Sequence, residues 1–331
     1  MEDYSGVIVY GEIAGQKLAS TTCELLECGR RLAEDLGHSL ACVLPGELPP
    51  NVVEDAAARG AKTVYTADMA GASVFDAEAH LAVAMAAVTE ARPEVILVGH
   101  TALGRQLGPR MAFRLGTAVT TDCIDLKVDP DSRRIVMTKP VYGGNALVDL
   151  VATTTPQIAT VRPKAMTAGE PTSDNRATTV PLMVKVPTPQ VVLRDRVIEE
   201  VVGVKLEDAP AVVSGGRGIA GPTPFTTVLK DLAEVLHGAV GASRPACDNG
   251  WAPEAMHIGL TGKIVAPELY VAVAISGASQ HMAGCSGSKT IVAINKDAEA
   301  NIFREATYGV VGRFEEVLPA FTAKLRELLA D

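Results

Sequence analysis

Two glycine-rich turns, one arginine loop and one histidine carry the chemistry this sequence offers. "GGRGIAG" (215–221) places Gly216, Gly218 and Gly221 at G-x-G-x-x-G spacing directly after the apolar run 211–214. Glycines at that spacing let a backbone approach a pyrophosphate, and Arg217 adds a cation. Pro222 and Pro224 follow at once, so the helix is expected after the third glycine and not across it. No acidic residue ends a second strand some 20 residues on, where a ribose ligand belongs. The spacing therefore fits either a phosphate contact or an ordinary tight turn.

The second turn is "ISGASQH" (275–281), where the run "LYVAVA" gives way to small residues and then to Gln280 and His281. A strand that ends through Ser276, Gly277 and Ala278 into a helix start presents backbone N–H groups suited to an anion. Strand carboxyl ends are where open α/β sheets bind ligands. His281 alone also fits a satisfied histidine at a helix start. "GASRPACDNGW" (241–251) puts Ser243 and Arg244 in an expected loop, and arginine can clamp a phosphate or stack on a flat ring. Alone it also fits a surface charge. "GLTGKIVAPELY" sets Thr261 between two glycines. It is not a P-loop, because Ile264 stands where Ser or Thr is required. "AISGASQ" is not a nucleophile elbow, because Ala274 and Ala278 replace its glycines.

The elements that must position these residues alternate. Strands are expected at 6–13, 39–44, 62–67 and 94–100, with helices at 20–37, 76–93 and behind 101. Ser20 is the expected cap of the first helix and Gly37 its stop. Such βαβ alternation implies a mostly parallel sheet. From 117 to about 200 the apolar period shifts towards 2, which reads as a strand meander, with an exposed polar loop at 167–179. A charged stretch at 194–210 ends in Pro210 and marks a boundary. A second α/β unit follows, with strands at 211, 257–262, 268–275 and 289–295 and helices at 224–238 and 315–330. The expected domains are 1–209 and 210–331.

The chain has 331 residues, enough for about two domains of roughly 100–200 residues. Its net charge of −9, with no basic stripe, speaks against a nucleic-acid partner. No apolar run reaches the ~18 residues of a membrane span. The acidic N-terminus enters a strand pattern immediately, unlike a signal or transit peptide, and a cytoplasmic location is expected. The six cysteines form no CxxC pair, which suits small buried side chains in a reducing compartment. Cys285 lies closest to the second turn.

Taken in order, "SGGRG", "GASR", "TGKIVAPELYVAVAISGASQHMAG", "SKTIVAINKDAEANIF" and "YGVVG" resemble the FAD domain of the electron transfer flavoprotein alpha subunit. "ILVGHTALGRQLGPRMAFRLG" and "YGGNALV" are similar, more loosely, to that family's first domain. The resemblance implies a heterodimer. Its alpha subunit would have a nucleotide-binding-like α/β domain, which contacts the beta subunit, followed by a parallel-sheet domain with redox-active FAD. Beta would carry AMP, or a second FAD in electron-bifurcating versions. It implies electron transfer from acyl-CoA-type flavin dehydrogenases to a quinone reductase; bifurcation would link NADH and ferredoxin.

It also implies site roles. Arg217 would reach towards the flavin, Ser243 the pyrophosphate, Arg244 the ring face and Thr261 the flavin N5. Ile258, Gly259 and Leu260 would line the same edge. Ser276, Gly277, Ala278, Ser279, Gln280 and His281 would wrap pyrophosphate and ring, with His281 at the N1/O2 edge. Asn295 would meet the adenosine end. A charged hydrogen bond of roughly 1.5–3 kcal/mol from His281 or Arg244 would raise a one-electron potential by about 65–130 mV. Leu260 stands where the family usually has Gln, and Arg313 where it usually has Asp at the adenosine end. Ala274 and Cys285 replace a commoner Gly and Met, expected as packing changes. A nicotinamide-linked dehydrogenase, read from "GGRGIAG", and a non-catalytic nucleotide-binding module are the rival functions.

Overall fold

Buried β-branched and aliphatic runs build the first sheet. In this computed structural model, residues 4–69, 76–144, 146–172, 176–188, 191, 194–195 and 204–329 are described. Contacts divide the chain into two units, Met1–Val141 with Ala146–Arg196, and Tyr142–Asn145 with Val197–Asp331.

The first unit holds seven parallel strands in the order Thr178–Pro181, Thr63–Ala67, Leu40–Pro45, Val7–Tyr10, Val95–Gly99, Gln157–Val161 and Val119–Cys123. Both faces are covered, so its central strands are apolar throughout. Val7, Val9, Val95 and Leu97 face a core that Leu25, Leu26 and Leu32 of the helix Ser20–Leu36 complete. Ile8, Tyr10, Ile96 and Val98 face the opposite core, under Ala77–Ala91 and Gly104–Leu115. A three-stranded antiparallel sheet, Asp125–Val128, Ile135–Val141 and Ala146–Val151, adds Leu126, Ile135 and Met137 to the first core.

Several expectations change here. Gly37 closes the first helix at φ 67, but Ser20 is its first helical residue and Ala19 occupies the cap position without a side-chain bond. The 117–200 region is only partly a meander, because Val119–Cys123 and Gln157–Val161 join the parallel sheet. The polar stretch 167–179 is largely exposed where described, but its end starts the edge strand Thr178–Pro181. Residues 196–203 of the expected charged boundary lie outside the described set. Leu206 and Ala209 share a core with Val212 and Tyr270.

The second unit is a six-stranded parallel sheet in the order His257–Ile258, Ala239–Ser243, Ala211–Gly215, Leu269–Val273, Thr290–Asn295 and Tyr308–Val311. One face packs under Val228–Val235 and Phe314–Leu329, the other under the short helices Ser279–Met282 and Ile302–Glu305. The expected helix 224–238 is two short pieces, Thr223–Thr226 and Val228–Val235. The expected loop at 241–251 is instead the end of a strand followed by the helix Arg244–Asp248.

Candidate functional site

Strand order dictates where this unit can bind a ligand. The chain runs from Ala211–Gly215 outwards to His257–Ile258, then returns to place Leu269–Val273 on the other side of Ala211–Gly215. The loops leaving those two neighbours diverge, and the crevice opens at their carboxyl ends. The leaving loops are "GGRGIAG" and "ISGASQH".

The glycines of the first loop serve the second. A Cβ at Gly216 would lie 2.1 Å from the Ala274 carbonyl oxygen, and one at Gly218 would lie 2.9 Å from the Ala274 Cβ. Gly216 N donates to Val273 O at 2.8 Å, stitching the loops together. The helix starts only after Gly221, so no dinucleotide fingerprint forms across it. Ala274 itself has φ +53. An alanine at this position is therefore a backbone matter and not only packing, because the left-handed region costs a non-glycine residue about 1–2 kcal/mol.

The second loop is held equally closely. Gly277 has φ +80, and a Cβ there would meet Ile302 N at 2.3 Å. Ile302 N donates to Ser276 O at 3.1 Å, and Asn295 Nδ2 donates to Ile275 O at 2.9 Å. Asn295 Oδ1 also accepts from Asp297 N at 3.0 Å, so its amide holds the loop while it lines the cleft.

The cleft has a volume of about 840 Å³, inside the size range of cofactor sites. Arg217, Ser243, Arg244, Ile258, Gly259 and Leu260 line it. Thr261, Ser276, Ala278, Gln280, His281 and Asn295 line it as well. Gly277 is buried and Ser279 half-buried, and neither is part of that lining. Arg313 lines a small neighbouring pocket with Asn295 and Lys296, its guanidinium 3.3 Å from Glu315. Lys296, Asp297 and Glu299 also line the main cleft and were not anticipated. They follow the strand Thr290–Asn295 at its carboxyl end, the position that the sheet rule marks for ligands.

Individual side chains define what the cleft can hold. Ser243 ends its strand 6% exposed, and its hydroxyl makes no hydrogen bond within the protein. A buried hydroxyl without a partner costs roughly 1–3 kcal/mol, which a ligand oxygen would recover. Arg244 donates through Nη1 to Thr261 Oγ1 at 3.2 Å and lies 3.6 Å from Asp248. Thr261 accepts there, so its own hydroxyl hydrogen remains available to a ligand acceptor. Leu260 is 42% exposed and offers an apolar edge.

Both ring nitrogens of His281 have partners within the protein. It is buried, its Nδ1 lies 3.1 Å from Ile258 O and its Nε2 lies 2.9 Å from the Tyr270 hydroxyl. A carbonyl can only accept, so Nδ1 carries the hydrogen and Nε2 accepts from Tyr270. Burial pushes the imidazole down to about 4, and it is neutral at pH 7. The fixed cations in the cleft are instead Arg217, Arg244 and Lys296. Cys285 is fully buried with its thiol pushed up to about 12 by burial, an inert packing residue.

In the first unit the equivalent crevice lies between the ends of Val7–Tyr10 and Val95–Gly99. Its own side chains bridge it. Thr101 Oγ1 donates to Glu12 Oε1 at 2.7 Å, and Thr22 pairs with the Glu12 backbone.

The switch-point cleft, its cations and the orphaned Ser243 define an α/β protein whose second unit binds an anionic nucleotide cofactor. Comparison with known proteins gives the family. The electron transfer flavoprotein domain family matches residues 7–187, and the electron transfer flavoprotein FAD-binding domain family matches 205–286. The electron transfer flavoprotein subunit alpha of Megasphaera elsdenii is 39% identical over 99% of this chain and 98% of its own. That of Bacillus subtilis (strain 168) is 38% identical over 97% and 98%. The acryloyl-CoA reductase electron transfer subunit beta of Anaerotignum propionicum is 32% identical over 99% and 97%. The chain belongs to the electron transfer flavoprotein alpha subunit family, and its second unit contains that family's FAD-binding domain. Among the described residues, no helix is long and apolar enough to cross a membrane.

Proposed function

We propose that this chain binds one FAD in the cleft of its second unit. As the alpha subunit of a heterodimer, it passes electrons from an acyl-CoA-type flavin dehydrogenase to a quinone reductase or a comparable acceptor. The observation that carries this reading is Ser243, whose hydroxyl is buried and unpartnered, in the lining of a cleft with three cations. Ser243 and the turn 276–280 would hold the pyrophosphate. Arg244 and Thr261 would hold the ring, and Asn295 with Lys296 the adenosine end. FAD supplies the redox chemistry when bound; the protein supplies placement and electrostatics. Arg244 would bring a positive charge beside the ring, and His281, neutral in the resting protein, would not. The acryloyl-CoA reductase subunit among the relatives supports an acyl-CoA-type partner.

Co-expression with the beta subunit tests the proposal. The purified heterodimer is expected to be yellow, with one FAD and one AMP. Two FAD per heterodimer would move the function to electron bifurcation between NADH, ferredoxin and an acyl-CoA dehydrogenase. A colourless protein that retains a nicotinamide nucleotide would overturn the proposal.

A further inference from the structure

One side chain in the cleft lining, His281, is joined to polar groups that do not themselves line the cleft. Tyr270 and Ser214 sit on neighbouring parallel strands, with Tyr270 opposite Val212 and Ser214 opposite Ala272. They therefore share one face two residues apart, within reach of a tyrosine side chain. Tyr270 is fully buried and gives its hydroxyl hydrogen to His281 Nε2 at 2.9 Å. Ser214 Oγ is also buried and interacts with the Tyr270 hydroxyl, although no hydrogen bond of regular geometry joins them.

We propose that Ser214, Tyr270 and His281 form a hydrogen-bond switch. Through it, His281 takes up a proton from solvent when the flavin site it lines gains an electron. The inference rests on the FAD reading above. In the resting arrangement Tyr270 O–H donates to Nε2. After proton uptake Nε2–H donates to the Tyr270 oxygen, and the Tyr270 O–H turns to Ser214 Oγ. One N–H bond forms and none breaks within the protein. The electron comes from the reducing flavoenzyme and the proton from water.

Both states of His281 are hydrogen-bonded at both ring nitrogens, because Ile258 O accepts from Nδ1 throughout. Protonation thus costs desolvation but no hydrogen bond, and a negative charge arriving in the cleft offsets that cost. The groups around the imidazole suit this. His257, on the adjoining strand, is buried 3.2 Å from Glu254, and Lys263 is paired with Glu207 at 2.9 Å. On its own side the Cys285 thiol stays neutral below its raised value of about 12. Arg244 at the cleft mouth is shared with Asp248 and Thr261.

The test is potentiometry of the flavin-loaded heterodimer from pH 6 to 9 in wild type, Ser214→Ala, Tyr270→Phe and His281→Gln. In wild type the first-electron equilibrium is expected to weaken tenfold per pH unit, about 59 mV, until the reduced-state imidazole titrates and the profile flattens. His281→Gln should be flat throughout. Tyr270→Phe should flatten at least one pH unit earlier than wild type, and Ser214→Ala should shift in the same direction by less. A merely structural Ser214 would leave the break where it is. The switch is overturned by a flat wild-type profile, by an unchanged slope in His281→Gln, or by breaks in both other variants that match wild type. Should Tyr270→Phe fail to load flavin, redox-difference infrared spectra of wild type still decide: imidazolium bands appearing on reduction support the switch, and their absence overturns it. A heterodimer that carries no flavin refutes the proposed function first, by cofactor count. A loaded heterodimer with a flat profile refutes the switch alone.

Discussion

Replacing Ser243 by alanine should move two quantities in opposite directions. In the ligand-free protein the hydroxyl is buried and unpartnered, a penalty of about 1–3 kcal/mol. Ser243→Ala removes it, so the flavin-stripped protein is expected to melt about 2–12 °C higher, at roughly 2–4 °C per kcal/mol. In the loaded protein the same hydroxyl would donate to a phosphate oxygen, a bond to a charged group worth roughly 1.5–3 kcal/mol. Its loss should weaken FAD binding roughly 10- to 150-fold, at about 1.4 kcal/mol per decade. Fluorescence titration of the stripped heterodimer with FAD reads the second quantity and thermal melting without FAD the first. Unchanged affinity would refute the pyrophosphate role. Weakened affinity together with a lower melting point would show that the hydroxyl has a partner in the protein, and the reasoning would fall.

Glu24 is buried, accepts from Lys164 N at 2.8 Å and has its carboxyl pushed up by burial to about 7. The folded state then holds this proton above the ordinary carboxylate range, so stability should fall as pH rises from about 4.5 to 7. Glu24→Gln should remove that decline and gain on the order of 1–3 kcal/mol at pH 8 with little gain at pH 4; urea melts with equal gains at both pH values would contradict this. Gly277→Ala sets a Cβ 2.3 Å from Ile302 N at φ +80, and a loss above about 3 kcal/mol is expected in denaturant unfolding. Ala274→Gly relieves a φ of +53 worth about 1–2 kcal/mol but adds unfolded-state freedom of about 0.5–1 kcal/mol. A net gain of about 0.5–1 kcal/mol in the same assay is expected, and a loss would show that the Ala274 methyl is needed against Gly218.

The sheets were legible where apolar runs were long and punctuated, as at 39–44 and 94–100. Alternation in the first unit and the fresh start at 211 also placed both parallel sheets. What failed had little local signal. Ala239–Ser243 consists of Ala, Val, Gly, Ala and Ser, a poor strand by propensity. It forms because Ala211–Gly215 on one side and His257–Ile258 on the other complete its ladder. That hidden strand is also why Ser243 and Arg244, read as loop residues, stand at a strand end and a helix start. Val119–Cys123 and Gln157–Val161 read as meander because their parallel partners are remote or hidden in the same region. The cleft residues 296–299 had a usable signal, the end of a strong strand. Tyr270 as the partner of His281 had none, since only the fold brings the side chain of a mid-strand residue onto a helix-start histidine.

The two glycine motifs owe their spacing to the same reversal of strand order. Neighbouring parallel strands at a switch point send their loops in opposite directions, but here the first residues of the two loops must first pass each other. Gly216 and Gly218 against Ala274 make that passage possible, as does Gly277 against Ile302. The glycines are thus needed by the protein before any phosphate arrives, and a G-x-G-x-x-G count alone could not distinguish the two demands. The ligand-specific evidence lies in side chains that the fold leaves unsatisfied. Ser243, in the lining of the cleft, has no partner within the protein. His281, which the motif order singled out, is satisfied on both nitrogens and neutral. Its influence on electron uptake must therefore pass through a change of protonation, whereas Arg244 acts as a charge already in place.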